Sequence, residues 1–297
     1  MIEIKNNALT HGGKFHADDV FSAALLKIIN PQIKIARAFD VPENFDGIVF
    51  DIGRGKFDHH QENAEVRENG VPYAAFGLLW RELGESVLSK GCEPEEAAKE
   101  AQRFDEHFIQ PIDDDDNTGC GNQLAGVIGA FNPTWDSERS PDDCFAEAVE
   151  FAKGILIRRF EGIFSVQRAK KLVEAALAEA KDNIVILPRF APWKMILIPS
   201  DAQFVVYPSQ RGGYNAQVIP ADFDTDEVKC NFPEEWAGKE QEELQKISGI
   251  KTLTFCHKGR FLISTVTLDD AIQACKYALK AAESARKKSE DEVEHSV

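Results

Sequence analysis

The sequence predicts an α/β protein in two domains: an N-terminal open, mostly parallel sheet flanked by helices over residues 1–182, and a smaller α/β domain over residues 183–297. Three observations carry that reading. Within the first 110 or so residues, short apolar runs alternate with stretches of helical periodicity. A strongly helical stretch, Asp142 to Lys181, then separates the halves. Beyond it, short strands are punctuated by turn residues. With 297 residues, 43% of them hydrophobic, the chain can form two cores.

Ala8 to Thr10 reads as a short strand running into a glycine-containing loop. Asp18 to Ile29 reads as a helix with Val20, Ala24 and Ile28 on one face. Ile33 to Phe39 has strand spacing, and Ile48 to Phe50 is a buried-strand run ending at Asp51 and Gly53. Tyr73 to Leu88 is amphipathic through Leu79, Leu83 and Val87. Pro94 to Phe108 is a further helix, opening on Glu95 and Glu96 where acids favour the helix dipole. The run Asp113 to Asp116 reads as a solvated loop with at least one acid facing inward. In the second half, Ile184–Leu187, Met195–Ile198, Phe204–Tyr207 and Ala216–Ile219 read as strands, with Arg211-Gly212-Gly213 as a hairpin turn. Glu240 to Ile247 is a short helix, and two strands flank His257-Lys258-Gly259. Asp269 to Arg286 is a C-terminal helix, and the charged tail to Val297 is expected to fray.

Composition narrows the function classes. No run approaches ~18 apolar residues, so no membrane partner is expected. Met1 to Leu9 lacks a secretory pattern, and the six cysteines form no C-x-x-C pair. The expectation is a cytoplasmic protein with reduced, mostly buried thiols. A net charge of −16 opposes long polyanions and favours a small phosphorylated substrate or a short oligonucleotide. Arg158, Arg159, Arg168, Lys170 and Lys171 form the one basic concentration, read first as a solvated helix face. The chain leaves a homo-oligomer open.

Four of the seven histidines fall in the first 60 residues: His11, His16, His59 and His60. His11 follows a strand, two glycines allow a tight bend, and His16 with Asp18 opens a helix. Asp51 ends another strand, and Asp58-His59-His60 follows in a short loop. Open α/β sheets gather ligands at the carboxyl ends of their strands. Carboxylates collected there repel one another unless cations neutralise them. Imidazole with carboxylate suits manganese, iron, cobalt or zinc better than calcium. Asp19 is read as a helix-entry charge.

These motifs resemble the DHH phosphoesterase superfamily: His11-x4-His16-x-Asp18, an apolar strand ending in Asp51, Asp58-His59-His60-Gln61, and an acid before Asn117. Within it, the chain is similar to the melanocyte proliferating gene family of metal-dependent hydrolases. Gly213-Tyr214-Asn215-Ala216-Gln217-Val218-Ile219-Pro220, Pro233 to Gly238 and Phe255 to Phe261 extend the likeness over nearly the whole chain. His16 stands where most of the superfamily has Asp, and Thr118 is inserted in the fourth motif.

The resemblance implies two divalent cations, with manganese first and magnesium, cobalt or zinc as alternatives. Asp51 would bridge them, His11 and His16 would complete one site, and Asp18, His59 and Asp116 the other, with Asp113 second to Asp116. His60 would contact the phosphoryl or leaving group, and Asp58 would orient a histidine. Arg211, Gly212, Gly213, His257 and Lys258 would bind substrate from a second domain that closes over the crevice. The implied function is a metal-dependent phosphoesterase, a 3′–5′ exonuclease or phosphodiesterase on RNA or short oligonucleotides. Phosphoanhydride hydrolysis, or a non-catalytic nucleotide-binding module, is the alternative.

Overall fold

The computed structural model of the chain describes residues 4–294, with side chains through residue 285. The chain divides into two compact units, Met1–Phe164 and Ser165–Val297. The sequence expectation placed that division near residue 182.

In the first unit, β1 (Asn7–His11), β2 (Lys34–Ala38) and β3 (Ile48–Val49) form a parallel sheet in the order β2-β1-β3. His11 is in register with Ala38, and Leu9 with Val49. The carboxyl ends of all three strands therefore lie on one edge, which places His11, Phe39 and Asp51 together. Between β1 and β2 lies α1 (Ala17–Ile29), the crossover a parallel pair requires. Every residue of α1 from Ala17 to Leu26 is buried, not only the expected face. A helix apolar on nearly all sides is one packed on all sides.

Helices α2 (Ala75–Leu88) and α3 (Pro94–Phe104) follow, then a π-helical turn (Asp105–Ile109), α4 (Gln110–Thr118) and α5 (Gln123–Gly129). The acidic run expected as a loop is the body of α4, which ends where Gly119 turns left-handed at φ 67°. α2 starts without a side-chain cap of its own. Its first amides are met instead by Asp18, which accepts from Ala75 N–H at 3.3 Å, and Asp113, which accepts from Gly77 N–H at 3.2 Å. Two carboxylates thus sit at the positive end of that helix.

The long helix α6 (Pro141–Ala178) runs unbroken past Gly154 and Gly162. Phe145, Ala148, Val149, Ala152, Leu156 and Phe160 pack into the first unit's core at helical spacing. Ala169 and Val173 belong to the second unit's core. The division falls within α6 because its apolar stripe changes partners along its length.

The second unit holds β4 (Ile184–Ile186), α7 (Lys194–Leu197), β5 (Phe204–Pro208), β6 (Tyr214–Val218), α8 (Gln241–Ser248), β7 (Leu253–Cys256), β8 (Leu262–Thr265) and α9 (Leu268–Glu294). Its sheet has the order β4-β5-β6-β8-β7, antiparallel except for β4 and β5. Alternation splits β5 between two cores. Phe204 and Val206 face the core shared with α8 and α9, while Val205 and Tyr207 face the one shared with α6 and α7. Met195 to Ile198, expected as a strand, is instead the short helix α7. α9 runs on through Glu294, past Arg286 where the helix was expected to end and the tail to fray, and residues 295–297 lie outside the described region. No helix among the described residues is long and apolar enough to cross a membrane.

Candidate functional site

Each candidate side chain is held by a local device. After β1, Gly12 N–H donates to Ala38 O at 2.7 Å and Arg37 donates to Gly13 O at 2.7 Å, pinning the loop before His16. Gly13 has φ 83°, a conformation that disfavours a side chain at this bend. His16 caps α1, and its N–H donates to Asp19 Oδ1 at 2.9 Å. Beyond β3, Asp51 itself is left-handed at φ 55°, and its N–H donates to Phe57 O at 2.9 Å. Few side chains adopt that region, and Asp and Asn are among those that tolerate it best.

The expected residues converge. His11 Nε2 lies 3.2 Å from Asp51 Oδ2 and 3.2 Å from Asp19 Oδ2. His59 Nε2 lies 3.1 Å from Asp51 Oδ1, 3.2 Å from Asp116 Oδ2 and 3.9 Å from Asp18 Oδ2. His16 Nδ1 lies 3.5 Å from Asp116 Oδ1. His60 Nδ1 donates to Asp58 Oδ1 at 2.7 Å and lies 3.6 Å from Asp51 Oδ1. Asp51 is thus shared by His11, His59 and His60. The resemblance paired His16 with His11; here His16 groups with Asp18 and Asp116.

Asp113 is elsewhere. Fully buried, it pairs with Arg67 at 2.8 Å, while Arg67 also holds Asp105 at 2.7 Å and covers the Tyr73 ring at 3.8 Å. One helical turn later, Asp116 and Asn117 face the histidines. Asn117 donates through Nδ2 to Asp113 O and Tyr73 O, which turns its Oδ1 to His59 Nδ1 at 3.2 Å.

Two side chains were missed as site residues. Asp19 was read as helix-entry charge, and one of its oxygens does cap α1, but the other meets His11. Asn117 was used only to mark the acid before it. The adjacent acids Asp18-Asp19 behind an N-cap were the available signal. Arg211 and Gly212 are exposed, Gly213 is half-buried in the β5–β6 turn, and His257 and Lys258 lie in the β7–β8 turn.

The electrostatics follow from burying several acids together. Contacts with Asp19 and then Asp51 raise His11 from 6.5 to about 10. Burial alone would lower His59, but the hydrogen bond it donates to Asp51 and the charges of Asp51 and Asp116 raise it to about 9. The Asp58 contact raises His60. Burial, then the charges of Asp51 and Asp116, hold Asp18 well above the carboxylate range. Against its burial, the flanking histidines hold Asp51 below it. Without cations, protons on the histidines and on Asp18 balance the cluster.

The donors fit a divalent cation. His11 Nδ1 lies on Gly12 O at 2.9 Å and His59 Nδ1 on the Asn117 amide oxygen. A proton kept on each Nδ1 leaves Nε2 as the nitrogen facing the carboxylates, the arrangement of metal-ligating histidines. Asp18 Oδ1 is buried with no hydrogen-bond partner. An orphaned buried carboxylate oxygen is costly unless a cation or proton meets it. Among the described residues, three groups of donors could hold an ion: His11-Asp19-Asp51, Asp51-His59-His60 and His16-Asp18-Asp116.

A pH prediction follows. The folded protein binds protons that the unfolded chain has released, because the folded values of His11 and His59 exceed 6.5. Their stabilisation is fully present below 6.5 and is lost as pH rises through about 9 and about 10. Metal-free protein is expected to melt progressively lower over that window, with a shallower slope in His11→Gln. A melting temperature flat across the window would contradict the proton-balanced cluster.

An open cleft of about 460 Å³ reaches this cluster, lined by His11, His16, Asp51, Asp58 and His60 together with Lys14, Phe39 and Arg54.

The MYG1_exonuc family model, described as "Uncharacterised protein family (UPF0160)", matches residues 7–279. The chain is 27% identical to the MYG1 exonuclease of Homo sapiens over 320 residues, covering 91% of this chain and 85% of that protein. It is 24% identical to a MYG1 protein of Saccharomyces cerevisiae, covering 91% and 94% of the two chains. A MYG1 protein of Chlamydia pneumoniae is 28% identical, covering 94% and 98%. No solved structure matches the chain.

Proposed function

We propose that this chain, which belongs to the MYG1 exonuclease family, is a metal-dependent phosphodiesterase of the DHH type that releases nucleotides from RNA or short oligonucleotides in the cytoplasm. The observation that carries this is the sharing of Asp51 between His11 and His59 at 3.2 and 3.1 Å, on the carboxyl edge of a parallel sheet. The names of the mammalian relatives, MYG1 exonucleases, support the choice of a nuclease.

His11, His16, Asp18, Asp51, His59 and Asp116 would hold two divalent ions, manganese first, with Asp51 common to both. Bound there, the ions supply Lewis-acid stabilisation of charge developing on the phosphoryl oxygens. The remaining steps belong to the protein. Asp58 accepts from His60 Nδ1 and from Arg54 N–H, at 2.7 and 2.5 Å, so the ring is held in place. His60 is exposed to the cleft, and its contact with Asp58 favours the protonated ring, whose Nε2 would donate to the leaving oxygen. In the second unit, the turn at Arg211-Gly212-Gly213 and the hairpin residues His257 and Lys258 offer donors for phosphate. Arg211→Ala is expected to raise KM more than it lowers kcat.

The test is a substrate panel of short RNA, short DNA, dinucleotides and pyrophosphate, with and without manganese. Chelator-sensitive release of mononucleotides from RNA and dinucleotides is the expected result. Cleavage of pyrophosphate alone, or of nothing, would overturn the reading.

Length dependence gives a further prediction. The chain carries a net charge of −16, and Arg159 on α6 lies over the Phe108 ring at 4.8 Å. For a ~10-nucleotide RNA with a non-cleavable backbone, the slope of log affinity on log salt should be shallower than about −3, and Arg159→Ala with Lys170→Ala should leave turnover unchanged. A steeper slope would mean a track of at least about four phosphate contacts along the strand.

A further inference from the structure

Phe39 is 81% exposed, in a unit whose other phenylalanines mostly lie in the core. It follows the last residue of β2 and lines the cleft that holds His11, Asp51 and His60. Isolated exposed apolar residues are ordinary on protein surfaces. This ring is distinguished by how it is held. A Cβ placed on Gly12 would lie 3.3 Å from the ring's Cζ and 3.4 Å from both Cε atoms. Near-equal distances to three adjacent carbons put Gly12 over the face of the ring rather than at its edge. Gly12 is itself fixed, because its N–H donates to Ala38 O. One face therefore looks toward Gly12, beside His11, and no aromatic ring among the described residues stacks on the other.

Lys14 and Arg54 line the same cleft and are exposed. An aromatic face and two cations lining one cleft, together with the His11-Asp51-His60 cluster, match the needs of a nucleotide. The base needs a π-surface, and the phosphate beyond the reacting one needs positive charge. Inorganic pyrophosphate or a sugar phosphate would use the cations and leave the ring in water.

We propose that Phe39 is the platform on which the base beside the reacting phosphate stacks, making it a specificity-determining residue for nucleoside phosphodiesters without preference among bases. The proposal rests on the phosphodiesterase reading above. Stacking is sequence-tolerant because every base offers a π-face. Gly12 then has a second role, since a methyl group there would lift the ring.

The experiment compares the manganese-loaded parent, Phe39→Ala and Phe39→Trp on a 5′-phosphorylated diadenylate and on its analogue lacking both bases. The parent is expected to favour the diadenylate by about tenfold in kcat/KM. Phe39→Ala should reduce that ratio to near one, mainly through KM, and Phe39→Trp should restore it. An unchanged ratio in Phe39→Ala would overturn the platform while leaving the phosphodiesterase intact. In parallel, calorimetry compares binding of adenosine 5′-monophosphate and ribose 5-phosphate to the same three proteins. About tenfold tighter binding of the nucleotide, lost in Phe39→Ala, supports the platform even if no diester is cleaved, the outcome that would sink the enzymatic reading alone. Equal binding of the two ligands by the parent would reject it.

Discussion

Asp51→Asn is expected to reduce manganese-dependent hydrolysis by at least about a thousandfold, roughly 4 kcal/mol of transition-state stabilisation, while leaving the fold intact. The reasoning starts from position. Asp51 is 2% exposed, with one oxygen on His11 and the other on His59. Asn is nearly isosteric and tolerates the left-handed backbone that this residue adopts at φ 55°. The substitution therefore removes the anion and little else. Calorimetric titration should find one manganese ion or none where the parent is expected to bind two. In the metal-free variant, His11 and His59 lose their shared anionic partner, so their pKa values should fall toward 6.5 when followed by NMR. Near-parental turnover in Asp51→Asn would defeat its role as a shared ligand.

The second large effect is on stability. Arg67→Ala is expected to cost roughly 3–5 kcal/mol, the usual penalty for removing one partner of a buried ion pair. For a unit of this size that corresponds to a fall of roughly 6–20 °C in melting temperature. Arg67 is 8% exposed, donates to Asp105, Asp113 and Pro72 O, and covers Tyr73. Without it Asp113, already raised by burial to about 7, loses the charge that opposes that rise. The glycine at position 77 shows how tightly this network is set, because a Cβ there would lie 2.0 Å from Asp113 Oδ2. Arg139→Ala, which breaks a solvent-exposed pair with Glu147, should melt like the parent. A drop of less than about 2 °C in Arg67→Ala would show the network to be dispensable.

The cluster was legible where chemistry sits at the end of an element. His11 ends β1, Asp51 follows β3, and His16 and Asp18 open a helix, so their convergence is a consequence of parallel topology. The choice between Asp113 and Asp116 was harder to see. Four identical residues carry no periodicity, so the phase of α4 is invisible in the run itself. Only the folded helix turns Asp113 toward α2 and, three residues on, Asp116 toward His59. Asp19 was hidden because a capping acid and a site acid look alike in one dimension. Met195 to Ile198 misled for a related reason: four apolar residues suit a buried strand or a buried helical turn equally. The burial of α1 on all sides depends on neighbours that its own sequence does not contain.

The start of α2 bears on how this site would be read across relatives. Asp18 and Asp113 complete that helix from outside, so losing either leaves a helix terminus with unmet amides. A descendant that had abandoned chemistry would still need them to fold. Their persistence in an alignment would report architecture. Asp116 and His60 cap no helix, and the His60 side chain is more than half exposed. Those two are the positions that would be free to drift if catalysis were lost, and a relative retaining Asp18 and Asp113 while varying them is expected to be folded and inactive.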